Sequence, residues 1–353
     1  MKHFESFPRI VAVLALLFVF QLATPNASGA DGSSAAIEVG SKFDATDTLD
    51  CGSESNADAA SCIEGLRWDR SPFLVELQPA QLGCGDYLVR FPSPRPIGNH
   101  VNDLVAMEWF AAREGDNIRK ARAIVVVHES ARNMTVGRMI ARGISGLGLH
   151  AFLIHLPGYG ERKDGTPLTA AHIAPSLKEA IADVRRARDA VAAVPAVDDS
   201  RIGLQGTSLG GFVTATVAGL DHGYDRVFIV LAGGDLQDVI LHGQRDAIKV
   251  HAKLTAAGLS DEQIKEATLQ IEPLRLAHRI DPERTWLFNG KLDTVVPPRN
   301  SRALAYAAHL PTTHHVEFTA DHYSGMIYLP QIIEQIRREM LDSDGPQPPA
   351  ASE

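Results

Sequence analysis

Alternation between short apolar runs and helical patterns is the feature that most restricts the fold of this 353-residue chain. The run 123–127 consists entirely of aliphatic residues, as in a strand buried on both faces of a sheet. Similar runs recur at 151–154, 201–204, 227–231, 285–288 and 316–318. Because helical patterns lie between these runs, the sequence predicts an α/β fold with a mainly parallel central sheet and helices on both faces.

Two other stretches depart from this rhythm. The early strand-like runs 73–77, 87–91 and 104–110 have no helical pattern between them, so we expect antiparallel strands on that side of the sheet. The segment 235–280 is helical in pattern over a longer stretch than the other connections. It is either an inserted helical cap over the site or a set of ordinary connecting helices.

A short glycine-rich motif carries the strongest chemical signal. Gly206-Thr207-Ser208-Leu209-Gly210 fits the pattern G-x-S-x-G, directly after a predicted strand and directly before the helical stretch 212–220. In a nucleophile elbow the serine sits at the tip of a sharp strand-to-helix turn, where glycines avoid side-chain clashes. The position therefore predicts Ser208 as a catalytic nucleophile.

A serine hydroxyl needs a histidine as base and a carboxylate to orient that histidine. After a nucleophile elbow the usual chain order is serine, acid, histidine. Asp293 follows the predicted strand 285–288, at the strand end where ligands bind in such sheets, and is the predicted acid. Asp235, after the preceding strand, is the second choice.

The predicted base is His322, which follows the last predicted strand. His314 and His315 precede that strand and would face the other edge of the sheet. Asp321 adjoins His322, but adjacent side chains point apart, so we expect it to hold the loop rather than to serve as the acid.

Two backbone N–H groups are needed to bind a developing oxyanion. One is predicted from Leu209, the residue after the nucleophile, and the other from the loop His128-Glu129-Ser130, with Ser130 as the choice. We expect His128 to hold this loop rather than to act as a base.

Residues 120–340 resemble the α/β-hydrolase superfamily, particularly its dienelactone-hydrolase and prolyl-oligopeptidase-like branches. The loop 128–130, the stretch 156–162, the elbow around Ser208, and the stretch 290–297 with His322 carry the resemblance. It implies an α/β-hydrolase fold in which Tyr159, Glu161 and Arg162 line the substrate pocket. The alternative for these three residues is a turn built on the neighbouring glycines.

Glu129 departs from the family pattern. Members of the family usually carry His-Gly after the strand that precedes the oxyanion loop, whereas Glu129 stands here in place of that glycine. The substitution predicts a carboxylate near the oxyanion hole.

The ends of the chain indicate its compartment. Lys2 and Arg9 precede the apolar run 10–20, and small residues follow at 26–30. This run is short for a spanning helix, so residues 1–30 are predicted to be a signal peptide that exports the protein to the periplasm or medium; the alternative is an uncleaved membrane anchor. We expect a flexible leader or a loosely packed extension over 31–65, one hydrolase domain over 66–341 and a disordered tail over 342–353.

Charge and cysteine content restrict the partners. The formal net charge is −9 and no cluster of Lys and Arg is visible, which argues against a nucleic-acid partner. The three cysteines, Cys51, Cys62 and Cys84, lack metal-ligand spacing, and Cys51 and Cys62 could pair in an oxidising compartment. We predict no metal, no cofactor and no stable membrane insertion after signal cleavage; the oligomeric state is open.

These features predict a serine hydrolase that transfers the acyl group of a small-molecule ester to water. Two alternatives remain at this point: a peptidase or acyl-peptide hydrolase, and a catalytically inactive binding protein on the same fold. The residues before 123 are too few for the propeller domain that usually accompanies such peptidases.

Overall fold

The computed structural model describes residues 37–165 and 169–342. The strands in this part of the chain are β1 (Lys42–Thr46), β2 (Pro72–Pro79), β3 (Tyr87–Pro92), β4 (Leu104–Phe110), β5 (Arg113–Glu114), β6 (Asn117–Ile118), β7 (Ala121–Val127), β8 (His150–Ile154), β9 (Val197–Thr207), β10 (Arg226–Val230), β11 (Thr285–Gly290) and β12 (His315–Phe318).

The α-helices of the same part follow the strands in alternation from β7 onward. They are α1 (Ala57–Leu66), α2 (Thr135–Gly146), α3 (Ala170–Ala192), α4 (Leu209–Leu220), α5 (Leu236–His242), α6 (Asp246–Ala256), α7 (Asp261–Leu269), α8 (Pro298–Ala307) and α9 (Leu329–Leu341).

Ten strands form one sheet in the order β1-β2-β3-β4-β8-β7-β9-β10-β11-β12. Strands β1 to β4 pair antiparallel, as does β4 with β8, and all pairs from β8 to β12 are parallel. The predicted mainly parallel sheet with antiparallel N-terminal strands is confirmed.

The sheet is buried on both faces. Along β7, Val125 and Val127 belong to one core cluster, whereas Ile124 and Val126 belong to the other. Residues of α3 and α4 pack in the first cluster, and residues of α2 and α9 pack in the second. This arrangement explains why residues 123–127 of β7 are all aliphatic, because neither face of this part of the strand meets water.

Residues 37–65, the described part of the predicted leader, contain a strand and a helix that pack on the domain. Strand β1 pairs with β2, and α1 buries Ala59, Cys62 and Leu66 in the first core cluster. Between them, the buried carboxylate of Asp47 accepts a hydrogen bond from Arg186 Nε at 2.8 Å. A few buried apolar residues and this ion pair therefore attach the segment to the domain, although its sequence is polar and shows little apolar periodicity.

The cysteines Cys51, Cys62 and Cys84 are all free. The Cys51–Cys62 bridge considered from the sequence is not formed, since Cys62 is buried in the core face of α1 with its sulfur 3.9 Å from the Gln270 carbonyl oxygen. Burial raises the pKa of Cys51 to about 11, which keeps this thiol protonated at neutral pH.

Three of the predicted segments lie outside the described residues: the signal peptide 1–30, the beginning of the leader and the tail beyond 342. Of the helices in the described ranges, none combines the length and apolar character needed to cross a bilayer.

The packing of α1 predicts a measurable loss of stability. Leu66 is fully buried, so Leu66→Ala should lower the free energy of unfolding by about 2 to 5 kcal/mol in urea titrations. Ser61 is exposed on the same helix, and Ser61→Ala should change that energy by less than about 0.5 kcal/mol. Equal stability of the two variants would contradict the packing of this segment.

Candidate active site

The parallel strands bring five connecting loops to one edge of the sheet. Val127 at the end of β7 pairs with Gly206 of β9, and Thr207 pairs with Val230 at the end of β10. Val230 in turn pairs with Phe288 of β11. Gly290, the last residue of β11, pairs with Phe318, the last residue of β12. The carboxyl ends of these strands are therefore level, and the loops that follow them meet at the edge where ligands bind in α/β sheets.

Ser208 occupies a strained turn between β9 and α4. Its φ is +53° and its ψ is −114°, a backbone conformation that L-residues rarely adopt. The turn is possible because Gly206 and Gly210 have no side chains: a Cβ on Gly206 would collide with the Gly210 carbonyl oxygen, and one on Gly210 with the Val127 carbonyl oxygen. This geometry is that expected of a nucleophile elbow.

The structure brings the three predicted triad residues into one hydrogen-bonded chain. Ser208 Oγ lies 3.0 Å from His322 Nε2, and His322 Nδ1 lies 2.7 Å from Asp293 Oδ2. Both distances are within normal hydrogen-bond range. With Nδ1 donating to the carboxylate, Nε2 is left to accept the serine proton.

Asp293 is held independently of His322. Its Oδ1 accepts hydrogen bonds from the backbone N–H groups of Val295 and Val296, at 2.8 and 2.9 Å, and the residue is only 3% exposed. The turn after β11 therefore fixes the carboxylate so that the other oxygen points to the imidazole.

The other acid candidates have structural roles. Asp235 is the N-cap of α5, where its side chain accepts a hydrogen bond from the Asp238 N–H at 3.1 Å. Asp321 accepts hydrogen bonds from the N–H groups of Tyr323 and Ser324, which confirms that it holds the loop around His322.

The excluded histidines lie away from these loops. His314 and His315 stand at the start of β12, where they contact Pro282 O and Asn289 Oδ1. Since β12 runs parallel to β11, its first residue lies at the opposite edge from His322.

The predicted oxyanion loop after β7 is held by hydrogen bonds of His128. His128 Nδ1 lies 2.6 Å from the Glu129 carbonyl oxygen, and Nε2 accepts the Leu156 N–H at 3.1 Å. Burial lowers the pKa of His128 to about 3, so the ring is neutral and structural, as predicted. The predicted donors Leu209 and Ser130 follow the adjacent strands β9 and β7, and Tyr159 donates its hydroxyl to the Ser130 carbonyl at 3.2 Å.

Glu129 has a role that the sequence pattern did not reveal. Helix α2 begins after Met134, which provides no side-chain cap. The Glu129 carboxylate instead accepts the N–H groups of Val136 and Gly137, both at 3.0 Å. The carboxylate thus satisfies free donors of the first turn, and its negative charge interacts favourably with the positive end of the helix dipole.

The three predicted pocket residues have different environments. Tyr159 lines a cavity next to the elbow. Glu161 lies on the surface and contacts Gln81. Neither Glu161 nor Arg162 lines that cavity.

Arg162 is buried in an ion-pair network rather than presented to the site. It pairs with Glu179 and Asp183 of α3 at 2.9 and 2.8 Å and donates to the Asn102 carbonyl at 2.7 Å. Burial raises the pKa of both carboxyls, and the Arg162 guanidinium opposes that rise. Its role as a substrate contact remains a prediction without a supporting contact here.

The cavity next to the elbow measures about 240 Å³. Leu209 and Phe212 of α4 line it, as do residues of helices α5, α6 and α7. The segment 235–280 therefore contributes to the cavity, and its role as a cap stays a prediction. Apolar pairs four residues apart, Leu236 with Ile240 and Val250 with Leu254, form this lining and were a signal available in the sequence.

Sequence reasoning also missed the contacts between this segment and the His322 loop. Tyr323 donates its hydroxyl to Asp246 at 2.7 Å, and Arg245 pairs with Asp321 at 3.2 Å while lying over the Tyr323 ring. These contacts connect the start of α6 to both neighbours of His322.

Comparison with known proteins supports the fold. No protein-family model and no curated protein matches the sequence. Among solved structures, the chain is similar to 2,6-dihydroxy-pseudo-oxynicotine hydrolase, with a TM-score of 0.52 and 16% identity over 68% of this chain and 65% of that one. It therefore spans less than two thirds of that protein's length.

Two further solved structures have comparable similarity. An acetyl xylan esterase from Paenibacillus sp. R4 has a TM-score of 0.56 and 17% identity over 83% of this chain and 96% of that one. The Pyrococcus horikoshii acylaminoacyl peptidase has a TM-score of 0.51 and 11% identity over 78% and 49%. These likenesses confirm the α/β-hydrolase fold that the sequence predicted.

The contact of Glu129 with α2 predicts the effect of restoring the usual glycine. Glu129→Gly removes two charge-assisted hydrogen bonds and should lower the free energy of unfolding by about 1 to 3 kcal/mol in urea titrations. Glu38→Gly, at an exposed position, is the matched control and should have a smaller effect. If Glu129→Gly were no more destabilising than the control, the capping role would be rejected.

Proposed function

We propose that this chain is a serine hydrolase that cleaves carboxylic esters through an acyl-enzyme, with Ser208 as nucleophile. The observation that carries the proposal is the pair of hydrogen bonds from Ser208 through His322 to Asp293, at 3.0 and 2.7 Å. Esterases and peptidases among the proteins of similar fold support hydrolysis as the reaction class. The partner is a small-molecule ester, and the apolar N-terminal run favours export of the enzyme.

In the first half of the reaction, Ser208 Oγ attacks the ester carbonyl as His322 Nε2 takes its proton. The Asp293 carboxylate accepts the Nδ1–H and stabilises the imidazolium that forms. The N–H groups of Leu209 and Ser130 bind the oxyanion of the tetrahedral intermediate. Collapse of the intermediate expels the alkoxide, which takes the proton from His322 Nε2 and leaves as the alcohol.

In the second half, His322 takes a proton from water, and the resulting hydroxide oxygen attacks the acyl carbon. The second tetrahedral intermediate breaks its bond to Ser208 Oγ, which recovers the proton from His322. The products are a carboxylic acid and free enzyme, and the proton transfers between enzyme groups follow the hydrogen bond from Ser208 to His322.

The alternative of a peptidase is favoured by one observation, the likeness to an acylaminoacyl peptidase. An amide demands protonation of a poorer leaving group by the same His322. Rates on a p-nitrophenyl ester and on the corresponding p-nitroanilide separate the two. We expect the ratio of the ester rate to the anilide rate to be larger with the enzyme than for uncatalysed hydrolysis in buffer.

Replacement of the nucleophile tests the proposal directly. Ser208→Ala should lower kcat on a p-nitrophenyl ester by about 10⁴-fold or more and abolish labelling by a fluorophosphonate probe, because triad members act as a unit. Ser61→Ala serves as the control and should keep both activities.

Near-normal turnover by Ser208→Ala would overturn the assignment of the nucleophile. Absence of labelling in the folded wild-type protein would favour the third reading, a binding protein that retains the geometry without the reaction.

A further inference from the structure

The cavity beside Ser208 is too large to be a packing defect. Protein interiors are close-packed, and voids much larger than a water molecule are few. An engineered apolar cavity of about 150 Å³ already binds benzene. The cavity here measures about 240 Å³, and its walls come from four separate segments: the loop 156–159 after β8, α3, the first turns of α4, and the segment that contains α5 to α7.

The lining of this cavity is apolar. Nineteen of the described residues line it, and none of these is charged. Three of them carry hydroxyl groups: that of Tyr159 donates to the Ser130 carbonyl, that of Thr268 donates to the Lys265 carbonyl, and the third belongs to Ser176. A sugar or a charged group placed there would give up its hydration without gaining equivalent hydrogen bonds, which is costly.

The position of the cavity connects it to the reaction. Leu209, the residue directly after Ser208, forms part of the wall, and Phe212 lies one turn further along α4. Tyr159 joins the cavity to the predicted oxyanion loop through its bond to Ser130. Ser208 itself does not line the cavity, so a group bonded to the carbonyl that Ser208 attacks would enter this space past its neighbour Leu209.

We propose that the cavity binds one apolar arm of the substrate ester, an alkyl or aryl group of roughly six to ten carbon atoms by comparison with benzene in its smaller cavity. The inference rests on the proposed esterase function and names its substrate class. It separates this chain from the acetyl xylan esterase of similar fold, since an acetyl group would leave most of the cavity empty. The arm is either the acyl chain or the alcohol, and two ester series distinguish them.

The first experiment measures kcat/KM on p-nitrophenyl esters from acetate to tetradecanoate, and on alkyl acetates from methyl to decyl. Each buried methylene should raise kcat/KM by about 4-fold, from about 0.8 kcal/mol of transfer energy, until the cavity is full near six to ten carbons. A rise in the first series assigns the cavity to the acyl chain, and a rise in the second assigns it to the alcohol.

Variants that fill the cavity should shorten the preferred chain. Ala267 of α7 lines the cavity, so Ala267→Leu should move the optimum down by roughly three carbons, the number added by the substitution. Val250→Phe, at a half-buried lining position, is a second filling variant should Ala267→Leu fold poorly. Ala252→Leu, exposed on α6, is the matched control and should leave the optimum unchanged.

A binding measurement keeps the inference independent of turnover. The ester that carries eight carbons on the side assigned by the kinetic series, methyl octanoate for the acyl chain or octyl acetate for the alcohol, should bind Ser208→Ala on the order of 100-fold or more tighter than methyl acetate in calorimetry, and Ala267→Leu added to this variant should reduce that ratio. Flat profiles in both ester series, or binding of methyl octanoate and octyl acetate no tighter than that of methyl acetate, would overturn the apolar arm while leaving the esterase proposal intact. Tight methyl octanoate binding without any ester turnover would instead reject the esterase and keep the cavity as an apolar ligand site.

Discussion

The close approach of α4 to the carboxyl end of β7 is the constraint on which the site depends. Gly206 and Gly210 permit it, because a methyl group at either position would collide with a backbone carbonyl. The approach forces Ser208 into its strained conformation and places Leu209 at the start of a helix. The position of the proposed nucleophile, that of the candidate oxyanion donor and part of the cavity lining therefore all depend on the absence of side chains at Gly206 and Gly210.

Sequence reasoning predicted the architecture well where a local pattern carried the information. The aliphatic β7 indicated a doubly buried strand, and loops after consecutive parallel strands indicated which side chains would meet. Ser208, Asp293 and His322 were selected on that basis, and the structure brings them into hydrogen-bond contact. Parallel strands make such a prediction possible, because their carboxyl ends share one edge.

The local pattern is least informative where distant residues determine the environment. Arg162 follows two glycines, and its burial depends on Glu179 and Asp183 of α3 together with the Asn102 carbonyl. The segment 37–65 has few apolar residues and no period, yet Asp47 and the buried face of α1 attach it to the domain. The Glu129 carboxylate binds the first turn of α2, a contact that the family pattern does not reveal.

The double attachment of Asp293 has a consequence for how this fold can change over evolutionary time. A buried carboxylate is costly without partners, yet here two backbone N–H groups remain even when the imidazole is gone. If position 322 changes, Asp293 Oδ1 therefore keeps both of its hydrogen bonds, and the loss is confined to the partner of Oδ2. A lineage that carries this turn is free to lose or exchange its chemistry while it keeps the scaffold, which is one physical reason why a single fold accommodates many activities.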